Sequence, residues 1–203
     1  MRNIYFISVA MLASLVIGCS PVLVDRAEVR TRPAFIIKPG EPIAIMPFET
    51  ESVLSNLGGQ LSDEIIVELF ENAPQLKIVP GTVVKNYLAN TNIGVAGLPD
   101  AHSIHNIKEG VRCRYLLTGN LYTSIGDVRF TTTYSSRIAK GSLTLRLIDC
   151  DSMTVVWAKH LEGSYSTTLY YVDSQQSAIY RTDGELLINL IKDMATEAAK
   201  NFY

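Results

Sequence analysis

Cysteine is scarce, with three in 203 residues, which excludes a small domain held together by a disulfide framework. Positive charge is not in excess either. Eighteen Lys and Arg stand against twenty Asp and Glu, so the net charge is −2 and no bulk field is on offer for nucleic acid. No apolar run reaches the roughly 18 residues of a membrane-spanning helix, the N-terminal stretch being the nearest approach. The chain has no internal repeat, no phosphate-binding loop and no nucleophile-elbow pattern; Gly58-Gly59 lacks the Gly-Lys that a phosphate loop requires. What remains is 47% hydrophobic and 19% charged residues, enough apolar material for one core and too much for a disordered chain.

The N-terminus reads as an address. Arg2 supplies a positive start, and Ile4 to Ile17 is an almost unbroken apolar run of fourteen residues, broken only by Ser8 and Ser14. That is too short to span a bilayer and right for the apolar region of an export signal. The run closes on Val16-Ile17-Gly18-Cys19, which resembles a bacterial lipobox. The resemblance implies cleavage after residue 18, a diacylglycerol thioether on Cys19 and an acylated mature N-terminus; the other reading is an ordinary signal peptide with an incidental cysteine. Ser20 at the second mature position, by resemblance to sorted lipoproteins, implies the outer membrane, with the domain on the periplasmic face. Two or three acyl chains give stable anchoring, at about 0.8 kcal/mol per buried methylene. The periplasm is an oxidising compartment.

Residues 1–18 are thus read as a lipoprotein signal peptide, 19–40 as the lipidated cysteine and a short tether, and 41–203 as a single α/β domain. Fully extended, residues 20–40 span at most about 70 Å. The tether's apolar clusters, Val22-Leu23-Val24 and Phe35-Ile36-Ile37, imply that part of it packs and holds the domain near the membrane.

Ile43 to Phe48 is continuously apolar and reads as a buried central strand ending at Pro47. Leu54, Leu57, Leu61, Ile65, Ile66, Leu69 and Phe70 recur at helical spacing, and Asn72-Ala73-Pro74 stops that helix. A short strand over 76–79 precedes a helix capped by Thr82 and carrying Val83, Val84, Tyr87 and Leu88. Asp100 caps a further helix through Ile104 and Ile107, ending at Gly110. Cys113 to Leu121 is a strand; Leu143, Leu145 and Leu147 alternate with Thr144 and Arg146 in another. Asp149 to Ser152 turns into Val155 to Ala158, and Thr182 with Glu185 opens a last helix with Leu186, Leu187, Leu190, Ile191, Met194, Ala198 and Phe202 on one stripe. The predicted order is β-α-β-α-α-β-β-β-α, a mixed β-sheet flanked by helices.

Several of these segments, taken in order, resemble a family of bacterial envelope proteins. It comprises the curli-secretion lipoprotein CsgG, the penicillin-binding-protein activator LpoB, the polysaccharide-export lipoprotein PelC and the N-terminal domain of TolB. The segments are Ile43-Ala44-Ile45-Met46-Pro47-Phe48, Gly58 to Ile65, Tyr115 to Leu121, Leu145-Arg146-Leu147-Ile148-Asp149 and Val155-Val156-Trp157, covering about residues 41–202. The family usually turns its last hairpin with Thr-Gly, where this chain has Ser152-Met153. The resemblance implies a TolB-N-terminal-like fold, an envelope location, and a scaffold, partner or pore without catalytic residues or cofactor. Three functions follow as expectations: a ring-forming homo-oligomeric subunit of an envelope export or assembly machine, a CsgG-type secretion pore, or a regulator of a peptidoglycan synthase.

Candidate chemistry is thin. His102 and His105 lie three apart, a spacing that also suits a solvated helix start, and no Cys or carboxylate partner completes a metal set. If strand 113–122 pairs with strand 141–150 around residues 123–140, Tyr122 faces Gly141 and Cys113 faces Cys150, at disulfide distance. The other reading, non-neighbouring strands or a slip by one, leaves two inert thiols. The expected partner-binding surface is a pair of aromatic loops. Residues 123–140 carry Phe130 and Tyr134 beside Arg129 and Arg137, and residues 164–181 carry Tyr165, Tyr170, Tyr171 and Tyr180. The alternative is that these rings fold back onto the core. Phe35, Ile36 and Ile37 are expected to meet a neighbouring subunit or close the sheet edge.

Overall fold

The structure, a computed structural model, describes residues 37–51, 56–91, 93, 98–129, 134–170 and 183–202. In chain order the elements are β1 (Pro42–Ile45), β2 (Glu49–Glu51), α1 (Leu57–Asn72), β3 (Lys77–Ile78), α2 (Gly81–Thr91), α3 (Ala101–Val111), β4 (Tyr115–Arg129), β5 (Tyr134–Asp149), β6 (Thr154–Tyr170) and α4 (Asp183–Ala199). The sheet runs β3-β1-β4-β5-β6, with β2 also on β4. Pairs β1–β3, β1–β4 and β2–β4 are parallel; β4–β5 and β5–β6 are antiparallel. The mixed α/β class and the element order are those the sequence predicts, with one strand split in two.

The split falls at Pro47. Ile45 pairs with Leu117 and Glu49 with Asn120, so three residues, Met46 to Phe48, stand opposite two of β4. Proline has no N–H to give the ladder, and the extra residue is absorbed there as a bulge.

Helices α1 and α4 pack together over one sheet face. Leu57, Leu61, Ile65 and Leu69 of α1 meet Leu186, Leu190 and Met194 of α4 over Ile43, Ile45, Leu117, Leu143, Leu145 and Leu147. On the other face α2 and α3 cover only one end, where Val84, Leu88, Ile104, Ile107 and Val111 enclose Ala44, Met46, Leu116 and Ile148. Successive residues of β1 are therefore buried on opposite faces, which is why that strand is apolar throughout.

Local expectations fare unevenly. Asp100 caps α3 as expected, its Oδ1 accepting from the Ser103 amide at 2.7 Å. Thr82 does not cap α2: the helix starts at Gly81, and the amides of Val83 and Val84 turn to the Pro80 carbonyl. Gly110 does not end α3, which runs to Val111 with Arg112 left-handed at φ 56. Gly110 instead admits the Tyr87 ring, since a Cβ there would lie 1.9 Å from it, and the Tyr87 hydroxyl donates to the Asn106 carbonyl at 2.7 Å.

The largest correction concerns residues 123–129, 134–140 and 164–170, which are strand and not loop. Strands β4 and β5 pair without interruption from Tyr115–Asp149 out to Arg129–Ser135, and β6 follows β5 to Tyr170. The Thr residues there occupy strand positions well, and the opposite face of the ribbon packs on α4. Gly141 and Gly163 sit beneath Leu190 and Met194. The register is also one residue off the expected one. Tyr122 faces Ser142, not Gly141, and Cys150 donates its amide to Arg114.

Candidate docking surface

Side chains of β4, β5 and β6 alternate between the α1/α4 core and a face that neither α2 nor α3 reaches. That face collects Asn120, Tyr122 and Ser124 from β4, Arg146, Thr144, Ser142 and Lys140 from β5, and His160, Glu162 and Ser164 from β6. Glu49 and Glu51 of β2 pair beside Asn120 and Tyr122.

Much of the face is internally bonded. The Asn120 amide donates to Glu49 Oε2, and Arg146 Nη1 donates to Asn120 Oδ1 at 3.0 Å. His160 contacts Thr144 Oγ1 through Nδ1 at 3.1 Å and Glu162 through Nε2 at 3.4 Å. Tyr122 stands out of this lattice with 46% of its surface exposed. Two shallow depressions flank it. One, of about 780 Å³, lies between Glu51, Ser124, Lys140 and Glu162; the other, of about 320 Å³, lies between Leu98, Thr144 and Arg146. Both open widely to solvent.

The aromatic-loop expectation is only partly placed. Tyr165 is half-buried and packs against the main core, so its ring serves the fold. Tyr134 and Tyr170 face each other across β5 and β6 in backbone register. Phe130, Tyr171 and Tyr180 lie outside the described residues, as do Cys19, Phe35 and Ile36. Ile37 is buried at 5% exposure in the domain's own core, which takes its side chain up within the subunit. Arg137 is not a free interface cation either. It binds Asp127 across the ribbon at 2.9 Å and Asp183 at the start of α4 at 2.7 Å. The hydrogen bonds from Arg137 hold the Asp183 carboxyl below the usual carboxylate range, and those to Asp183 and Asp127 push the guanidinium up.

His102 and His105 both ride on α3, the His102 ring meeting the Asn106 side chain at 3.1 Å. Among the described residues no group of three or more potential metal ligands converges, and no helix is long and apolar enough to cross a membrane. Asp149 and Asp151 serve the β5–β6 turn: Asp149 Oδ1 accepts from the amides of Asp151 at 2.9 Å and Ser152 at 3.3 Å. Cys113 and Cys150 come together with Sγ atoms 4.0 Å apart. Their shared hydrogen bond and burial push the Cys113 thiol up, and the same bond favours the thiolate of Cys150.

No protein-family model matches the chain, and no curated protein matches it. Among solved structures it is similar to lipoprotein GNA1162 from Neisseria meningitidis, at 14% identity over 79% of this chain and 99% of that one, with a TM-score of 0.47. It is similar to the LpoB C-terminal domain from Salmonella enterica at 12% identity, over 62% of this chain and 84% of that one, with a TM-score of 0.41. A PelC dodecamer from Paraburkholderia phytofirmans matches at 16% identity over 81% and 89% of the two chains, with a TM-score of 0.38.

Proposed function

We propose that the protein is a lipid-anchored periplasmic subunit of the outer membrane. In this reading it acts without catalysis, assembling with copies of itself as a ring-forming scaffold in an envelope export or assembly machine. The observation that carries this reading is the sheet face left uncovered by α2 and α3, whose polar groups are largely bonded to one another. A second copy of the chain is the occupant that its charges favour. One column carries Glu49 and Glu51 on β2, and β5, on the far side of β4, carries Lys140 and Arg146. Setting the acidic column of one subunit against the basic column of another makes the face self-complementary, which favours association with a second copy. Lipidation at Cys19 supports it, because a subunit confined near one membrane meets its neighbours at raised effective concentration.

The pore reading draws less support. The β4–β5 ribbon carries Asp127, Arg137 and Lys140 and is docked onto α4 through Asp183, which suits a packed element better than a lipid-facing band. The synthase-regulator reading needs a longer reach than the tether gives.

Charge exchange on the face tests the scaffold. Lys140→Glu is expected to abolish crosslinked oligomers in cells, and adding Glu51→Lys to restore them. Oligomers unaffected by Lys140→Glu would remove this face from the assembly.

A further inference from the structure

We propose that Cys113 and Cys150 close an intramolecular disulfide in the exported protein, tying the α3–β4 junction to the β5–β6 turn. The proposal rests on the reading that the chain is delivered to the periplasm.

The two residues are 37 positions apart, and the fold sets their sulfurs 4.0 Å apart. Cys113 precedes β4 by two residues, and Cys150 follows β5 directly. Straight continuation of the ladder would place Cys150 across from Arg114, as its amide bond to the Arg114 carbonyl at 3.0 Å shows. The left-handed Arg112 re-aims the chain just before Cys113. Both thiols then fall on the α2/α3 side, among Ile107, Val111, Leu116 and Ile148.

Three features favour a bond over two packed thiols. The first is that Cys19 is consumed by the lipid in the leader reading, so this pair is the whole remaining thiol complement. The second is that the backbones are already clamped. Arg114 binds Asp149 at 2.9 Å and also Asp151, while Lys108 of α3 reaches Asp151 at 3.0 Å. The third is that a metal does not account for the pair, since no third ligand converges on it among the described residues.

The chemistry is a thiol–disulfide exchange with a disulfide-bearing oxidant of the oxidising compartment. One cysteine thiolate attacks the oxidant's disulfide, releasing one of its sulfurs as a thiolate and forming a mixed disulfide. The second cysteine then attacks that linkage as its thiolate. One S–S bond forms in the chain, two S–H bonds are lost, and the electron pair and both protons leave with the oxidant as a dithiol. With only 3% and 1% exposure the sulfurs are closed to an oxidant in the folded domain. The exchange therefore belongs to a stage when the α3–β4 junction is still open.

The test expresses the full chain with its own leader in a bacterial host. The envelope protein is denatured with an alkylating agent and no reductant, digested and mapped by mass. The expected result is a Cys113 peptide linked to a Cys150 peptide, with neither residue alkylated. Two alkylated thiols in protein whose N-terminus is acylated Cys19 would overturn the proposal. An unprocessed leader would refute the export reading instead. The same map is then run on full-length chain reduced in denaturant and refolded in a glutathione redox buffer, where a linked peptide supports the bond and two alkylated thiols overturn it. Protein reduced in denaturant and refolded in reductant should melt roughly 8–15 °C below the oxidised protein, and the same treatment should leave a Cys113→Ala/Cys150→Ala variant unmoved. A wild type indifferent to reductant would also overturn the proposal.

Discussion

Gly58 and Gly59 are neighbours at the start of α1, and replacing each by alanine should move stability in opposite directions. At Gly58 a Cβ would lie 1.9 Å from the carbonyl oxygen of Phe48 and 2.8 Å from its carbon, about 1.5 Å short of ordinary contact with the oxygen. The obstacle is backbone, held just past the Pro47 bulge, and cannot rotate away. The helix must lift, which strains the Phe48 N–H bond to the Gly58 carbonyl, now 3.3 Å, and loosens Leu57 and Leu61 in the core. Overpacking costs about 1–3 kcal/mol and the weakened hydrogen bond about 1 kcal/mol. Alanine's better helix propensity offsets about 1 kcal/mol. The net is a loss of about 1–3 kcal/mol, or a melting temperature lower by roughly 2–12 °C for a domain of this size. At Gly59 the only close atom is the Asn56 side-chain oxygen at 3.0 Å, which can swing aside. There the propensity term dominates, and Gly59→Ala should gain about 0.5–1 kcal/mol. Urea and thermal unfolding of the two purified variants beside the wild type decide the matter. A Gly58→Ala protein as stable as wild type would refute the close approach of α1 to the β1–β2 bulge.

Met153 holds a left-handed backbone, φ 54, in the β5–β6 turn; Met153→Gly should stabilise by up to about 1 kcal/mol, read as a higher urea midpoint. Asp183 is titrated down by Arg137. Its contribution is therefore present above the unfolded carboxylate value and is lost as pH falls through the lower folded value. Asp183→Asn should cost well under 1 kcal/mol at pH 7, since the pair is largely exposed. The gap from wild type should close as pH falls through that lowered folded value, and a gap that widens in acid would contradict the assignment. Cys19→Ala should release the protein from outer-membrane fractions or leave it with an unprocessed leader; unchanged fractionation would place the anchor elsewhere.

The parts of the fold legible in the sequence were those where burial is one-sided or complete. The unbroken run Ile43 to Met46 marks a strand covered on both faces, the spacing of Leu57, Leu61, Ile65 and Leu69 marks the buried stripe of α1, and Asp100 marks a helix start. Strands β4 to β6 beyond Thr123 were illegible because small polar residues line their open face. On their covered face Gly141, Ala139 and Gly163 leave room for α4 instead of presenting large apolar side chains. Hydrophobic alternation fades under those conditions even though the ladder continues. The register was missed by one because the link 130–133, Phe-Thr-Thr-Thr, has no glycine, proline, asparagine or aspartate to fix a turn type. The candidate face was half visible. Thr144 and Arg146 were readable as outward positions of β5, but their convergence with Glu49, Tyr122 and His160 depends on the strand order, which a single sequence does not state.

The central claim, that this chain is a lipid-anchored subunit built to assemble with its own copies, is tested most directly by the mass of the full-length lipidated protein. It is extracted from membranes in mild detergent, weighed by native mass measurement and imaged in negative stain. The account predicts closed rings of one size, which the Lys140→Glu variant fails to form. A monodisperse monomer from the wild type, retaining its acyl chains, would contradict it.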